Sequence, residues 1–177
     1  MAEQTRPRVV LVGPMGSGKS TVGRVLAQRW GVDVRDSDAD VEQTAGKPVP
    51  EVFVDDGEAR FRELEKAAVA LALRTHDGVL SLGGGAVLDP DTQVLLEGHR
   101  VVFLRVGLAD AVKRVGIGAG RPLLLGGDGG IRARVRSLLE ERNPVYEGVA
   151  TVVVDTDGRT PEQVADDVEN GLEEGLR

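Results

Sequence analysis

The most constraining feature of the sequence is a glycine-rich segment, Gly13–Ser20, between an apolar stretch and an amphipathic one. It fits the pattern G-x-x-x-x-G-K-[ST], in which glycines let successive backbone N–H groups point at phosphate oxygens. The preceding run, Arg8–Val12, predicts a buried strand. The following residues have helical spacing up to Gly31, which predicts a helix with a C-cap glycine. Strand, loop and helix together indicate a phosphate-binding P-loop.

Two polar residues of this loop predict its chemistry. Lys19 is placed to neutralise the charge of the β- and γ-phosphates, and the Ser20 hydroxyl is suited to bind the Mg²⁺ that bridges them. The alternative is a glycine-rich turn with an incidental lysine. The strand and helix on either side favour the nucleotide site.

The rest of the chain alternates between short apolar runs and helical patterns. The runs predict four more strands: Asp33–Asp36, Val79–Leu82, Val101–Val106 and Thr151–Val154. The patterns predict further helices: Gly57–Arg74, a helix from Pro90, a helix from Leu108, and a helix from Pro161 with Thr160 as N-cap. This alternation is typical of a parallel sheet with helices on both faces. Only Gly116–Gly130, with seven glycines, looks irregular.

Composition limits the classes of function. The 177 residues suit one domain, 1–177, and the formal charge of −7 argues against a nucleic acid or an anionic membrane as partner. There is no cysteine, and no apolar run approaches the length of a membrane span. We therefore expect a cytoplasmic protein that acts on small molecules.

Two carboxylates, Asp36 and Asp38, lie at the carboxyl end of the second predicted strand, where ligands of open α/β sheets bind. Asp36 could hold a magnesium-bound water, and Asp38 could accept a proton from an acceptor hydroxyl as a general base. The alternative for Asp38 is a helix N-cap, ahead of the segment that begins at Ala39.

Three consecutive glycines, Gly83–Gly85, follow the third predicted strand. Because such a run costs backbone entropy, it indicates a close approach to a ligand or to a neighbouring element, with a plain tight turn as the alternative. Many P-loop proteins carry a second magnesium aspartate here, and this chain has none. Magnesium should then depend on Ser20 and Asp36.

Two arginines stand out by their context. Arg62 follows Phe61 in the long predicted helix, and Arg142 precedes Asn143-Pro144. A guanidinium group matches both oxygens of a carboxylate, although an unselected arginine is more often a surface charge.

Over nearly its whole length the chain resembles the shikimate kinase family. The matching segments, in order, are Gly13–Thr21, Asp36–Asp38, Phe53, Asp56–Glu58, Phe61-Arg62, Glu65, Leu82–Gly85, Arg121–Leu124, Arg142–Tyr146 and Val154–Thr156. The resemblance implies an α/β three-layer sandwich of the P-loop NTPase fold, with a five-stranded parallel sheet in the order 2-3-1-4-5. It also implies a shikimate-binding segment at about 36–65, a mobile lid at about 114–130 and a monomer.

The resemblance further implies roles for individual residues. Shikimate would be bound by Asp38, Phe53, Phe61, Arg62, Gly83, Gly84, Gly85 and Arg142, with Glu65 holding the arginines in position. ATP would be bound by Gly16, Ser17, Gly18, Lys19, Ser20, Thr21, Arg114, Arg121, Asp155 and Pro161. The catalytic residues would be Asp38, Lys19 and Arg121.

The implied reaction transfers a phosphoryl group from ATP, with Mg²⁺, to the 3-hydroxyl of shikimate, on the route to chorismate and the aromatic amino acids. Within enzymes, the alternatives are a gluconate kinase or a nucleoside monophosphate kinase. Outside them, the alternative is a nucleotide-gated binding protein, which would not need Arg62 or Arg142.

Overall fold

The computed structural model describes residues 4–117 and 130–175, with the side chains of all of these except 115–117. Five parallel strands form one sheet in the order β2-β3-β1-β4-β5. The strands are β1 (Val9–Val12), β2 (Val34–Asp36), β3 (Val79–Ser81), β4 (Val101–Arg105) and β5 (Val152–Asp155). The implied strand order is confirmed, and each strand end lies within one residue of its predicted position.

Helices connect the strands on both faces of the sheet. They are α1 (Lys19–Trp30), α2 (Ser37–Ala45), α3 (Val49–Thr75), a 3-10 helix (Ala86–Leu88), α4 (Pro90–Leu96), α5 (Leu108–Ile117), α6 (Gly130–Val149) and α7 (Pro161–Glu174). Helix α1 ends at Gly31, whose φ of 64° is left-handed, and Thr160 caps α7 as predicted.

Successive side chains of the central strand β1 point to opposite faces of the sheet, and each face packs into a different hydrophobic cluster. Val10 and Val12 belong to a cluster with residues of α3 and α6, while Val9 and Leu11 belong to a cluster with residues of α1 and α7. All four side chains are buried, as a parallel strand covered on both faces requires. This arrangement confirms the three-layer sandwich.

The helices differ from the prediction in three places. Helix α6 was not predicted, α2 was considered only as the alternative in which Asp38 caps a helix, and α3 has a first part, residues 49–56, ahead of the predicted start at Gly57. Gly57 interrupts α3 with φ 84° and ψ 164°, a conformation that glycine adopts without steric cost. Within the described parts of the chain, no helix is both long and apolar enough to cross a bilayer.

Candidate active site

A cavity of about 370 Å³, here called the main cavity, opens at the carboxyl ends of β1, β2 and β3. It is lined by P-loop residues, by the predicted acceptor-binding residues and by both predicted metal ligands. The predicted members are Gly16, Gly18, Lys19, Ser20, Thr21, Asp36, Asp38, Phe53, Phe61, Arg62, Gly83, Gly84, Gly85 and Arg142. Parallel strands end together, so residues far apart in sequence meet at this edge.

The P-loop connects β1 to α1, and the side chain of its lysine is hydrogen-bonded to the backbone of the loop. Lys19 Nζ donates to the Gly13 carbonyl at 2.6 Å and to the Pro14 carbonyl at 3.1 Å. The Ser17 side chain is buried, and its hydroxyl has no hydrogen-bond partner among the described residues. The Lys19 ammonium group and the Ser17 hydroxyl therefore lie close to the start of α1, where the helix dipole also favours an anion.

Asp36 and Asp38 have different structural roles. Asp36 is the N-cap of α2, and its Oδ1 accepts from the Asp38 N–H at 2.8 Å. The alternative that Asp38 is the cap is therefore wrong, because Asp38 lies inside the first turn. Burial, and then the charge of Asp36, raise the pKa of Asp38, while the nearby charge of Lys19 opposes that rise. A carboxylate in this setting is a better base than an exposed one.

The two arginines lie in the main cavity with one carboxylate between them. Arg62 Nη1 donates to Glu65 Oε1 at 2.8 Å, and Glu65 is only 3% exposed. Arg142 is 8% exposed, its Nε has no hydrogen-bond partner, and no ion pair joins it to a carboxylate in the described part of the chain. Arg62 therefore already has a carboxylate partner, whereas the buried Arg142 makes no ion pair with a described residue and is the better placed of the two to bind an anionic ligand.

Aromatic side chains form one wall of the main cavity. The ring centroids of Phe53 and Phe61 are 4.6 Å apart, and the Arg62 guanidinium lies over the Phe61 ring at 5.3 Å. This wall offers an apolar face to a ring-shaped ligand beside a carboxylate-binding group.

The segment Gly83–Gly85, here called the triglycine segment, is in close contact with three of these residues. A Cβ added to Gly83 would lie 2.6 Å from Asp38 Oδ1, and one added to Gly85 would lie 2.6 Å from Arg62 Nη1. A Cβ on Gly84 would lie 3.3 Å from Arg142 Nη1. The close approach that the sequence predicted is therefore toward side chains that themselves line the cavity.

A second cavity of about 290 Å³, here called the side cavity, shares Gly18 and Thr21 with the main one. Ser17, Arg114 and Pro161 also line it, as predicted ATP-binding residues. Arg114 Nη1 donates to the Gly16 carbonyl at 2.8 Å and ties α5 to the P-loop. The two cavities thus meet at the phosphate-binding loop.

Asp155 is not among the residues that line the side cavity. Its carboxylate accepts from Arg105 Nε at 2.6 Å and from Arg105 Nη2 at 3.0 Å. Thr156 and Arg159 line the cavity instead, and both lie in the loop Asp155–Pro161, beside which the resemblance places adenine.

Other parts of the prediction lie outside the described residues. Arg121 is not described, and neither are residues 118–129, which include most of the predicted lid.

The sequence analysis also missed two buried hydroxyls behind the triglycine segment, on Ser37 and Tyr146. Both residues stand inside segments that the resemblance had matched, but nothing in the sequence shows which backbone groups they bind.

The metal site lacks a carboxylate cluster. Among residues 4–117 and 130–175, no group of three or more His, Cys, Asp and Glu side chains is placed to hold an ion. A cation at Ser20 and Asp36 would therefore need further ligands from phosphate and water, which is how Mg²⁺ commonly binds beside nucleotides.

Comparison with known proteins gives one consistent result. The family model for shikimate kinase matches residues 15–173. The chain is 60% identical to a shikimate kinase of Salinispora tropica over 162 residues, which cover 92% of this chain and 95% of that protein. It is 54% identical to a shikimate kinase of Thermobifida fusca, with 92% of each chain covered.

Solved structures agree with the sequence relatives. The shikimate kinase of Acinetobacter baumannii in complex with shikimate superposes with a TM-score of 0.85 at 31% identity, covering 97% of this chain and 93% of that one. A gluconokinase of Sinorhizobium meliloti, at 22% identity and a TM-score of 0.62, shares the fold and covers 97% and 94% of the two chains. From its sequence, its sheet and its site, the chain belongs to the shikimate kinase family.

Proposed function

We propose that this protein transfers the γ-phosphoryl group of ATP to the 3-hydroxyl of shikimate, giving shikimate 3-phosphate and ADP. The observation that carries the proposal is the buried guanidinium of Arg142, which lies in the same cavity as the P-loop without a carboxylate partner among the described residues. The charge of Glu65 acts on Arg142, but Glu65 is already hydrogen-bonded to Arg62, so the buried position of Arg142 favours a further anionic ligand. The carboxylate of shikimate supplies that charge.

The acceptor would bind with its ring against Phe53 and Phe61 and its carboxylate toward Arg62 and Arg142. Glu65 keeps Arg62 in place, because their hydrogen bond is an interaction between two charged groups inside the cavity. This orientation turns the hydroxyl groups of the ring toward Asp38.

ATP would place its phosphates on the P-loop and its adenosine part in the side cavity, near Arg114 and Pro161. Lys19, which donates to the carbonyls of Gly13 and Pro14, would donate to phosphate oxygens when ATP is bound. Ser17, with its unpartnered hydroxyl, and the backbone N–H groups of the loop would complete the phosphate site. Asp155 would contribute by pairing with Arg105 at the end of β5 rather than by touching adenine.

The residues present fit a magnesium ion. Ser20 and Asp36 both line the main cavity, and Asp36 uses Oδ1 as a cap acceptor, which leaves Oδ2 for a metal-bound water. When bound with ATP, Mg²⁺ would lower the negative charge that opposes attack on the γ-phosphorus.

In the reaction, a bond forms between the 3-hydroxyl oxygen and the γ-phosphorus, and the bond from that phosphorus to the β,γ-bridging oxygen breaks. Asp38 would accept the hydroxyl proton, for which its raised pKa suits it. Lys19 would offset the charge that develops on the leaving phosphate. The family resemblance assigns Arg121 to the transferring phosphoryl group when the lid closes.

We further propose a cytoplasmic, monomeric enzyme that acts on these small molecules and on no nucleic acid or membrane. The charge of −7 supports the last point, since polyanion surfaces attract basic proteins.

The test is ADP release measured with shikimate, gluconate, a nucleoside monophosphate or no acceptor, each with and without Mg²⁺. We expect turnover only with shikimate and Mg²⁺ together. Faster turnover with gluconate would reassign the acceptor. ADP release that is independent of any acceptor would favour a nucleotide-gated binding protein.

A further inference from the structure

The triglycine segment is intrinsically flexible, although its position must be well defined. Glycine loses more conformational freedom on folding than any other residue, and this segment has three in a row. Yet an added Cβ on Gly83 or Gly85 would overlap with Asp38 or Arg62, so small shifts of this backbone change the positions available to both side chains. Something outside the segment must fix it.

The first restraint is the hydroxyl of Ser37. Ser37 is fully buried, and its Oγ accepts from the Gly83 N–H at 2.9 Å. Ser37 lies directly between Asp36 and Asp38 in the first turn of α2. One hydrogen bond therefore sets the distance between the triglycine segment and the turn that carries both carboxylates.

The second restraint is the hydroxyl of Tyr146. Tyr146 is fully buried, and its phenol donates to the Gly84 carbonyl at 2.5 Å. Its ring is held against Phe103 of β4, with the centroids 5.0 Å apart. Tyr146 stands four residues after Arg142 on α6, so the two side chains lie on the same face of that helix.

The phenol keeps its proton under ordinary conditions. Burial raises the pKa of Tyr146 to about 12, with the charge of Arg142 opposing the rise. The hydroxyl is therefore a donor to Gly84 throughout the pH range in which the enzyme would work.

We infer that Ser37 and Tyr146 are positioning residues that hold the triglycine segment from its two sides, so that Asp38, Arg62 and Arg142 converge on one acceptor. The inference rests on the proposed function for the identity of that acceptor. Neither residue touches the reacting atoms. Each hydroxyl instead bonds one backbone group of the segment, the first its N–H and the second its carbonyl, and the Tyr146 hydroxyl also hydrogen-bonds Arg142.

The test removes each hydroxyl separately, with Tyr146→Phe and Ser37→Ala. We expect kcat/KM for shikimate to fall about tenfold in each variant, the value for a lost buried hydrogen bond, while the dissociation constant of ADP stays within about twofold. Thr151→Val is the matched control, because the Thr151 hydroxyl also bonds a backbone carbonyl, that of Val101 at the opposite end of β4. It should change neither constant.

A second measurement needs no turnover. Hydrogen exchange of the Gly83 amide in the ligand-free protein should accelerate in Ser37→Ala and stay unchanged in Thr151→Val. If wild-type protein fails to phosphorylate shikimate, the proposed function fails, while this exchange comparison still tests the restraint. Wild-type shikimate kinetics in Tyr146→Phe and Ser37→Ala, or equal losses for shikimate and ADP, would overturn the inference.

Discussion

Asp38 carries a negative charge in a place that disfavours it. Burial contributes most to the rise of its pKa, and the neighbouring Asp36 contributes next. A carboxyl group with a raised pKa in the folded protein binds its proton more tightly there than in the unfolded chain. As pH rises from the unfolded pKa through the folded one, ionised Asp38 therefore costs stability.

The substitution Asp38→Asn should separate the effect of Asp38 on stability from its effect on catalysis. We expect kcat to fall by about 10²- to 10⁴-fold, the usual contribution of a general base, with ADP affinity nearly unchanged. The melting temperature at neutral pH should rise, because the amide needs no proton and carries no buried charge. Steady-state kinetics and calorimetry on the same samples check both effects. Near wild-type kcat would remove Asp38 from the mechanism.

The pH profile should report the same carboxylate. Protonated Asp38 cannot accept a proton, so kcat/KM for shikimate should fall on the acid side, at a pH above the ordinary pKa of aspartate. The charge of Glu42 is one of the causes that raise the pKa of Asp38. Glu42→Gln should therefore move the acid limb to lower pH. Glu97→Gln is the control, because Glu97 lies ahead of the amino end of β4, and it should leave the acid limb in place. An acid limb unmoved by Glu42→Gln would contradict the assignment.

Arg62 offers a test of fork geometry at constant charge. Lysine keeps the positive charge but lacks the planar set of N–H donors with which a guanidinium group can hydrogen-bond Glu65 and a ligand carboxylate at the same time. Arg62→Lys should raise the KM for shikimate at least about tenfold and leave the KM for ATP nearly unchanged. Equal changes in both Michaelis constants would show that Arg62 acts on the fold rather than on the acceptor.

At the scale of elements, the triglycine segment explains why side chains are excluded from one turn. In Gly85→Ala, the new Cβ would meet both terminal nitrogens of Arg62, at 2.6 and 2.7 Å. We expect the KM for shikimate to rise while nucleotide affinity is kept.

The matched control for that substitution is Gly148→Ala. Gly148 lies inside α6, and apart from the adjacent backbone of that helix no atom of the described residues stands within 4 Å of the position of its added Cβ. This change should stabilise the fold by about 0.5–1 kcal/mol and leave the kinetics alone. Similar kinetic losses in both variants would contradict the steric explanation.

The elements also show what a sequence can and cannot reveal. Strands were predicted well, because buried parallel strands are continuous Val- and Leu-rich runs. Helix α6 was not predicted, because it contains Pro144, and a proline ordinarily ends a helix. Its buried side chains, Val135, Leu139, Arg142 and Tyr146, nevertheless recur at spacings of three and four, so the helical pattern was present but included a buried arginine.

The phosphate-binding half of the site could be predicted from the sequence pattern alone, whereas the acceptor-binding half could not. The phosphate loop is continuous in sequence, so its pattern alone predicted Lys19 and Ser20. The acceptor half came from the family resemblance, since Arg62 and Arg142 look like surface charges until the fold buries Arg142. The bonds of Ser37 and Tyr146 depend on distances between elements, which no local pattern contains.

At the scale of the whole molecule, the sheet edge brings two cavities together at one loop. The acceptor contacts proposed above use Asp38, guanidinium groups, aromatic rings and backbone, and none of these groups is proposed as a ligand of the metal, which is assigned to Ser20 and Asp36. Chelation with EDTA should therefore abolish phosphoryl transfer but leave shikimate binding intact, as equilibrium dialysis can measure. Loss of shikimate binding on chelation would mean that the metal also organises the acceptor site.

The order of the chain through this edge has one more consequence. Apart from Arg142, all the groups proposed to recognise the acceptor come from the uninterrupted stretch between Asp36 and Gly85, whereas the phosphate-gripping loop precedes it. Exchanging the stretch from Asp38 to Gly85 would retarget the enzyme while the phosphate-binding loop and Asp36 stay unchanged, and Arg142 and Tyr146 on α6 would have to be adapted with it.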